Sequence, residues 1–362
     1  MKLNDMTPMI PISPQVSNSI SLLRFPLIIL VVYIHIRAEL VSTNNYISSD
    51  YPVFDIISIL GSTVLASIAV PLFFLISGYL FFNKETYKAK DYIYKLRNRI
   101  KTLLIPYLLW NFIVDLLYLL VQTFLPSITT SNRKLVSEYS LSDWIADFWY
   151  GNSGSPICYQ FWFLRDLIVC VCLSYAIYYC IRYLKYYYII ALFIAWFSGI
   201  SINVPGVSFV SLFFFSLGSW CRLWDFDLKQ FVNIIQKQNY IVSFVLLIIN
   251  IVLLYKNTNV PYLPSITCLS FILSTICFVY NISQNLNCFN LKIFIDRTFF
   301  IYAGHGILLT FIVKLISKMG GVCSEEGYIV MYLFCPILVI CILFGIYSLV
   351  PKRILNVLCG GR

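Results

Sequence analysis

Apolar residues fill ten stretches of the chain, most of them roughly 17 to 25 residues long, the length that a helix needs to cross a bilayer. The predicted spans are residues 20–40, 54–82, 102–125, 161–181, 186–200, 207–222, 240–256, 263–281, 298–317 and 328–350. The fifth is short, and the second is long, with Gly61 and Pro71 predicting a kink or break. The pattern predicts an all-α, polytopic membrane protein with about ten transmembrane helices.

Composition agrees with this class, since 60% of the 362 residues are hydrophobic and 12% are charged, with a mean hydropathy of +0.82. Soluble domains carry about 25% charged residues. The net charge of +10 reflects Lys and Arg in alternate loops, so we expect both termini in the cytoplasm, a location in the cytoplasmic (inner) membrane and no nucleic-acid partner. We expect tails at 1–19 and 351–362 around one membrane domain, 20–350.

The first predicted span carries polar residues that are costly inside a bilayer. Arg24 and His35 are eleven positions apart, which places both on one face of a helix, about 16 Å apart along its axis. Glu39 follows His35 by four residues on that face and is a candidate to orient or polarise the imidazole. This stripe predicts either catalytic chemistry or a polar contact that only joins helices.

Two other spans hold candidate residues. The chain has only two histidines, and the second, His305, lies in a span between two glycines. Arg165 and Asp166 enter another span as sequence neighbours, so their side chains point about 100° apart, and we expect partners on other helices rather than a simple pair. No C-x-x-C pair or Cys/His ligand spacing occurs, so no metal site is predicted.

Two loops have two interpretations each. Lys95, Arg97 and Arg99 precede the third span and suit either positive-inside anchoring or the phosphates of a nucleotide-bearing donor. The longest predicted outer loop, 126–160, contains the aromatic residues Trp144, Trp149, Tyr150 and Tyr159. These suit stacking on sugar rings or, alternatively, an interfacial aromatic belt.

Several strings together resemble acyltransferase family 3, a family of integral membrane acyltransferases. They are Arg24 and His35 in the first span, VPLFFLISGYLFF at 70–82, the basic loop leading into IPYLLWN at 105–111, WFLRDL at 162–167, FFIYAGHGILL at 299–309 and the final CGGR. The motifs occur in order along nearly the whole chain. In the family two loop arginines are often separated by two residues, whereas one residue separates Arg97 from Arg99.

The resemblance implies transfer of an acyl group, commonly acetyl from acetyl-CoA, to a hydroxyl of a cell-surface carbohydrate. It implies that His35 is the essential histidine and Arg24 its basic partner, with the loop at 95–101 binding the donor. We expect Glu39 to support His35, and Arg24, Arg165 or Ser77 to stabilise the thioester oxygen. Further candidates for substrate contacts are Trp162, Asp166 and His305.

The sequence leaves two other function classes open. A transporter or flippase for a glycan or lipid would also combine ten spans with intramembrane charges. A membrane scaffold for a polysaccharide synthase would tolerate the loss of His35. A homodimer is compatible with the sequence, which does not define the sugar, the acyl group or a covalent acyl-enzyme step.

Overall fold

The computed structural model describes residues 11–43, 48–84, 86–124, 126, 134–151, 154–284, 292–319, 321–322 and 324–361. Within these ranges the regular elements are helices and there is no β-strand, which confirms the all-α prediction. The α-helices in chain order are α1 (Pro14–Thr43), α2 (Pro52–Ile59), α3 (Ala69–Phe81), α4 (Ala89–Arg99), α5 (Ile105–Phe124), α6 (Leu141–Trp149), α7 (Trp162–Phe197), α8 (Phe209–Leu223), α9 (Leu228–Tyr255), α10 (Leu263–Ile282), α11 (Lys292–Ile295), α12 (Thr298–Lys318), α13 (Glu325–Leu349) and α14 (Lys352–Leu358).

Eight helical stretches in the described part of the chain are long and apolar enough to cross a membrane. They are Pro14–Ser42, Pro52–Phe81, Ala89–Phe124, Tyr159–Phe197, Leu228–Tyr255, Leu263–Ile282, Thr298–Lys318 and Glu325–Leu349. α8 is apolar but shorter. The predicted spans 161–181 and 186–200 correspond to the two arms of α7, which meet at a non-helical residue, Lys185, where φ is 53° and ψ is −129°. A multi-pass membrane protein is confirmed, whereas ten crossings and cytoplasmic termini stay predictions.

α1 lies in the centre of the bundle, where it contacts α3, α10, α12 and α13. Its buried residues, such as Leu27, Ile28, Val31 and Val32, recur at helical spacing and face these neighbours. Pro26 lies inside the helix and does not end it. The polar residues of α1 are therefore held among other helices.

The irregularity predicted in the second span is a change of helix type that begins beside Gly61, within one continuous helical stretch. α2 continues into a π-helical turn at Leu60–Leu65 and a 3₁₀ turn at Ala66–Ile68 before α3 begins. A Cβ at Gly61 would overlap the hydroxyl of Tyr332 on α13. Glycine at this position thus makes room for a side chain from a neighbouring helix. It lies in the π-helical turn, a feature that is rare and occurs mostly as a single turn within α-helices. Pro71 lies within α3.

α3 and α8 cross with their backbones in close contact. A Cβ at Gly78 would overlap the carbonyl oxygen of Phe215, and a Cβ at Gly218 would overlap that of Leu75. Small residues allow membrane helices to approach this closely, which increases van der Waals contact. This crossing explains the glycine in the string VPLFFLISGYLFF and fixes α3 beside the cavity described below.

The predicted C-terminal tail packs against the start of α5. The indole Nε1 of Trp110 donates a 3.1 Å hydrogen bond to the carbonyl oxygen of Leu358 in α14. Gly360 has φ of 65°, and a Cβ there would lie 2.6 Å from the carbonyl oxygen of Thr102. Gly360 thus makes a tight contact with the turn at Ile100–Leu104 that joins α4 to α5, whereas nothing lies within 4 Å of a Cβ at Gly361. Arg362 lies outside the described residues.

Candidate active site

A cavity of about 290 Å³ lies between α1, α3, α7 and α12, with α4 at one end. Most of its wall is apolar. The polar side chains that line it are Arg24, Ser77, Arg99, Asp296, Thr298 and Tyr302. We refer to this space as the large cavity. It brings together three of the residues that the sequence singled out, Arg24, Ser77 and Arg99, from three different helices.

Arg24 enters the large cavity from α1. Its side chain is half-buried, and among the described residues it has no hydrogen-bond or ion-pair partner. A guanidinium inside a membrane-spanning helix is costly unless it meets a compensating group. An unpaired arginine in a cavity wall is typical of a site for an anionic or strongly polar ligand.

The three basic residues of α4 have different surroundings. Lys95 and Arg99 are four residues apart and share one face, whereas Arg97 lies on the opposite face and is exposed. The ammonium of Lys95 donates to the carbonyl oxygen of Phe81 and, at 2.8 Å, to the hydroxyl of Tyr87. The ammonium of Lys95 is thus hydrogen-bonded at the end of α3. Of these three basic residues, Arg99 alone lines the large cavity.

His35 lines a second, small cavity of about 30 Å³, which has room for little more than a water molecule. Gln160, Trp162, Phe163 and Tyr302 are among its other wall residues. The imidazole is partly buried and points into the protein rather than toward lipid. The sequence-predicted candidates His35 and Trp162 therefore share one pocket.

Three aromatic rings separate the two cavities, since Phe73, Phe163 and Tyr302 line both. The ring centroids of Phe73 and Phe163 are 5.8 Å apart, and those of Phe163 and Tyr302 are 6.1 Å apart. We call these three residues the aromatic partition. The large cavity with Arg24 and Arg99 and the small cavity with His35 therefore meet at these three side chains.

The two histidines of the chain are neighbours in the structure. Their ring centroids lie 5.2 Å apart, and the ring of Tyr159 meets that of His35 edge-on at 5.0 Å. His305 is fully buried. Gly306 makes room for the side-chain amide of Gln160, which a Cβ there would overlap, and Gly304 faces Leu343 of α13. The glycines around His305 therefore accommodate protein groups that enclose it.

Glu39 contacts α12 rather than His35. Its carboxylate accepts a 2.5 Å hydrogen bond from the hydroxyl of Thr310, and no hydrogen bond joins it to His35 in the described structure. The hydroxyl of Tyr159 is buried beside these two side chains. The expected direct contact between Glu39 and the imidazole is thus replaced by a contact that joins α1 to α12 beside the histidines.

Comparison with known proteins decides the family. A family model described as an acyltransferase domain, that of acyltransferase family 3, matches residues 17–349. The chain belongs to acyltransferase family 3. No curated protein and no solved structure matches it. Membership makes the chain an acyltransferase, and its long apolar helices make it a multi-pass membrane acyltransferase.

In this acyltransferase the expectation that Arg165 and Asp166 do not pair is wrong, although both also have the expected partners outside α7. The Arg165 guanidinium lies 3.2 Å from the Asp166 carboxylate, because the long arginine side chain can fold back along the first turn of α7. Arg165 also donates to the carbonyl oxygens of Trp149 and Gly154, and Asp166 accepts from Ser208. This buried pair fixes the preceding loop and α8 to α7, away from both cavities.

The aromatic residues of the predicted outer loop separate into two groups, although 127–133 and 152–153 lie outside the described residues. Trp144 packs among protein rings, and Trp149 donates from Nε1 to the carbonyl oxygen of Pro205 at 3.2 Å. Tyr150 is exposed, whereas Tyr159 lies beside His35. α6 also exposes Leu141, which favours the interfacial interpretation for this helix.

The sequence did not single out several residues of the site. Tyr302 lies one helical turn before His305, a spacing that places both on one face of α12. Gln160 is an amide at the start of an apolar run, and its Nε2 donates a 2.8 Å hydrogen bond to the carbonyl oxygen of Ala303. Asp296 precedes α12 and adds the carboxylate of the large cavity. The described residues contain no group of three or more His, Cys, Asp and Glu residues placed to hold a metal ion.

Proposed function

We propose that this acyltransferase moves an acyl group, acetyl from acetyl-CoA, to a hydroxyl of a cell-surface polysaccharide or its lipid-linked precursor. The observation that supports this most directly is the arrangement of the two cavities. Two arginines line the large cavity, and only the aromatic partition separates it from the small cavity at His35. The cations that would bind the acyl donor and the imidazole that would act as general base thus lie on opposite sides of the aromatic partition.

The donor occupies the large cavity in this proposal. A volume of about 290 Å³ is at the lower limit for a ligand pocket, so it suits the narrow pantetheine arm and its thioester rather than the whole coenzyme. The apolar walls suit the arm, while Arg99 and Arg24 provide cations for its polar and anionic groups. The nucleotide part then lies outside the cavity, beyond the Arg99 end.

His35 is the general base of the reaction. A hydroxyl is a poor nucleophile at neutral pH, and a base that removes its proton during attack contributes about 10²- to 10⁴-fold to the rate. The hydroxyl oxygen forms a bond to the thioester carbon while His35 takes the proton. The carbon–sulfur bond then breaks, and the thiolate of CoA leaves and takes the proton. The products are an ester and the free thiol of CoA.

The developing negative charge on the thioester oxygen requires a hydrogen-bond donor. Arg24 and Ser77 both line the large cavity and are the candidates for this role. Arg165 is directed toward Asp166 and two backbone carbonyls instead, which argues against it. Trp162 and Gln160, which line the small cavity, are candidates to hold the acceptor near His35.

The bilayer is part of this proposal. We place the enzyme in the cytoplasmic membrane, with α4 on the cytoplasmic side where acyl-CoA is made and with the carbohydrate acceptor approaching His35 from the other side. Basic residues of α4 support this orientation because Lys and Arg are retained in cytoplasmic loops. A homodimer stays a prediction, since residues of a single chain line both cavities.

Mass analysis of surface glycans, combined with an assay of free CoA thiol, tests the proposal. Membranes that contain the chain should release thiol from acetyl-CoA when acceptor is present, and the glycan should gain the mass of an acetyl group. Glycan uptake or flipping without any consumption of acyl-CoA would contradict the proposal and favour a transporter. A gain in mass equal to a succinyl group would change the acyl group but retain the reaction.

A further inference from the structure

His305 has a fixed tautomer in a fully buried position. Its Nδ1 lies 2.7 Å from the carbonyl oxygen of Tyr302 and 3.3 Å from that of Ile301. A carbonyl oxygen only accepts hydrogen bonds, so Nδ1 must carry the proton. The remaining nitrogen, Nε2, is then a lone-pair acceptor in the neutral ring.

That acceptor has no partner in the described structure. Buried polar atoms are nearly always hydrogen-bonded, and an unsatisfied one requires a physical explanation. The ring of His305 lies 5.2 Å from that of His35, centroid to centroid. Because His35 lies in the wall of the small cavity, the unused acceptor is next to the proposed base.

We propose that Nε2 of His305 accepts a hydrogen bond from the ring N–H of His35 during acyl transfer, and that His305 is thereby a positioning residue. In neutral His35 this bond would select the tautomer whose lone pair faces the acceptor hydroxyl. Once His35 has taken the proton, both its nitrogens are donors, and Nε2 of His305 would stabilise the second. The inference rests on the proposed function of His35.

The other polar groups near His35 do not supply this contact. Glu39 accepts from Thr310, and the rings of Tyr159 and His35 pack edge-to-face. Gln160 lines the small cavity and donates from Nε2 to the carbonyl oxygen of Ala303. Among these groups, His305 is the one that offers a buried ring nitrogen with a lone pair and no hydrogen-bond partner in the described structure.

Two substitutions distinguish the effect of losing the hydrogen-bond acceptor from the effect of changing the size of the side chain. His305→Phe keeps an aromatic ring and removes the acceptor, whereas His305→Gln keeps an amide oxygen. We expect the Phe variant to lose about 10- to 100-fold in kcat with KM for acetyl-CoA unchanged, because one hydrogen bond to a charged group is lost. The Gln variant should retain most of kcat. Equal kcat for the wild type and the Phe variant would overturn the inference, as would equally low kcat for two folded variants.

A double-mutant cycle tests whether His305 acts through His35. In a His35→Ala background, His305→Phe should cause no further loss of kcat, since the group that it positions is absent. A full further loss would overturn the inference. A wild-type enzyme that releases no CoA thiol would instead contradict the proposed function, so the two failures are distinguishable.

Nitrogen NMR of the full-length protein provides a measurement that does not depend on variant folding. Because the chain has only two histidines, ¹⁵N-labelled histidine gives two sets of ring signals. We expect one ring with a protonated Nδ1 and an unprotonated Nε2, and we expect the other ring to have a single predominant tautomer when acetyl-CoA is bound. A protonated Nε2 on His305, or a mixture of tautomers on His35 with acetyl-CoA bound, would overturn the inference.

Discussion

The hydroxyl of Thr310 on α12 donates a 2.5 Å hydrogen bond to the carboxylate of Glu39 on α1. Glu39 lies one helical turn beyond His35, and Thr310 lies just over one turn beyond His305. The bond therefore joins the two helices close to the point where the two imidazoles meet. It adds a polar contact to the packing of α1 against α12.

Thr310→Val should weaken this junction. The substitution keeps the shape of the side chain but leaves the Glu39 carboxylate without its donor, which costs about 1–3 kcal/mol for a partly buried group. We expect a lower thermal midpoint in detergent and a reduced kcat, whereas Thr310→Ser should retain both. Indistinguishable Val and Ser variants would show that the bond does not position the helices.

Arg99→Gln should raise KM for acetyl-CoA by about 10- to 100-fold, the loss expected when one charge-assisted hydrogen bond to the donor is removed. The matched control is Arg97→Gln, because Arg97 lies on the same helix but is exposed on its opposite face. That variant should change KM less than about threefold. Initial-rate kinetics at varied acetyl-CoA provide the comparison. Similar increases in both variants would contradict the assignment of Arg99 to the cavity.

Phe163→Ala should open the aromatic partition. Phe163 lines both cavities, so its removal joins the small cavity to the large one. We expect water to reach the bound thioester more easily, with a several-fold rise in acetyl-CoA hydrolysis in the absence of acceptor. Phe334→Ala is the control, since Phe334 is on the outer surface of α13. Thiol release without acceptor measures the effect, and no difference between the variants would count against the partition.

Gly78→Ala should destabilise the protein through the crossing of α3 and α8. The new Cβ would overlap the carbonyl oxygen of Phe215, and such overpacking costs about 1–3 kcal/mol or more. Gly345→Ala is the control, and we expect it to leave stability unchanged or to raise it. No atom lies within 4 Å of a Cβ at Gly345, and Ala is the better helix former. Thermal midpoints in detergent should fall for the first variant only.

The helical class, the irregularity near Gly61 and the family were predictable because each depends on local pattern. Apolar length predicts the spans, and a glycine within a long span is a local signal of irregular helix. The two apolar runs of α7 were also predictable as separate spans, since the backbone leaves the helical conformation at Lys185 between them. The angle at which the two arms meet was not, because it depends on φ and ψ at Lys185, which no apolar pattern contains.

The candidate site was predicted only in part because the facing of a helix depends on its neighbours. Arg24, Ser77, Arg99, His35 and Trp162 lie at one cavity or the other, whereas Lys95 caps α3 and Arg165 pairs with Asp166. Helical spacing alone could have separated Arg97 from Lys95 and Arg99, since two residues correspond to about 200°. The contact between His35 and His305 depends on how α1 packs against α12, which no local pattern contains.

The central claim is that the His35 imidazole removes the proton of the acceptor hydroxyl. It is tested most directly by the rate of acceptor-dependent CoA thiol release from membranes that contain equal amounts of folded wild-type and His35→Ala protein. We predict a loss of about 10²- to 10⁴-fold in kcat for the variant, with acetyl-CoA still bound. Thiol release at the wild-type rate by His35→Ala would contradict the claim.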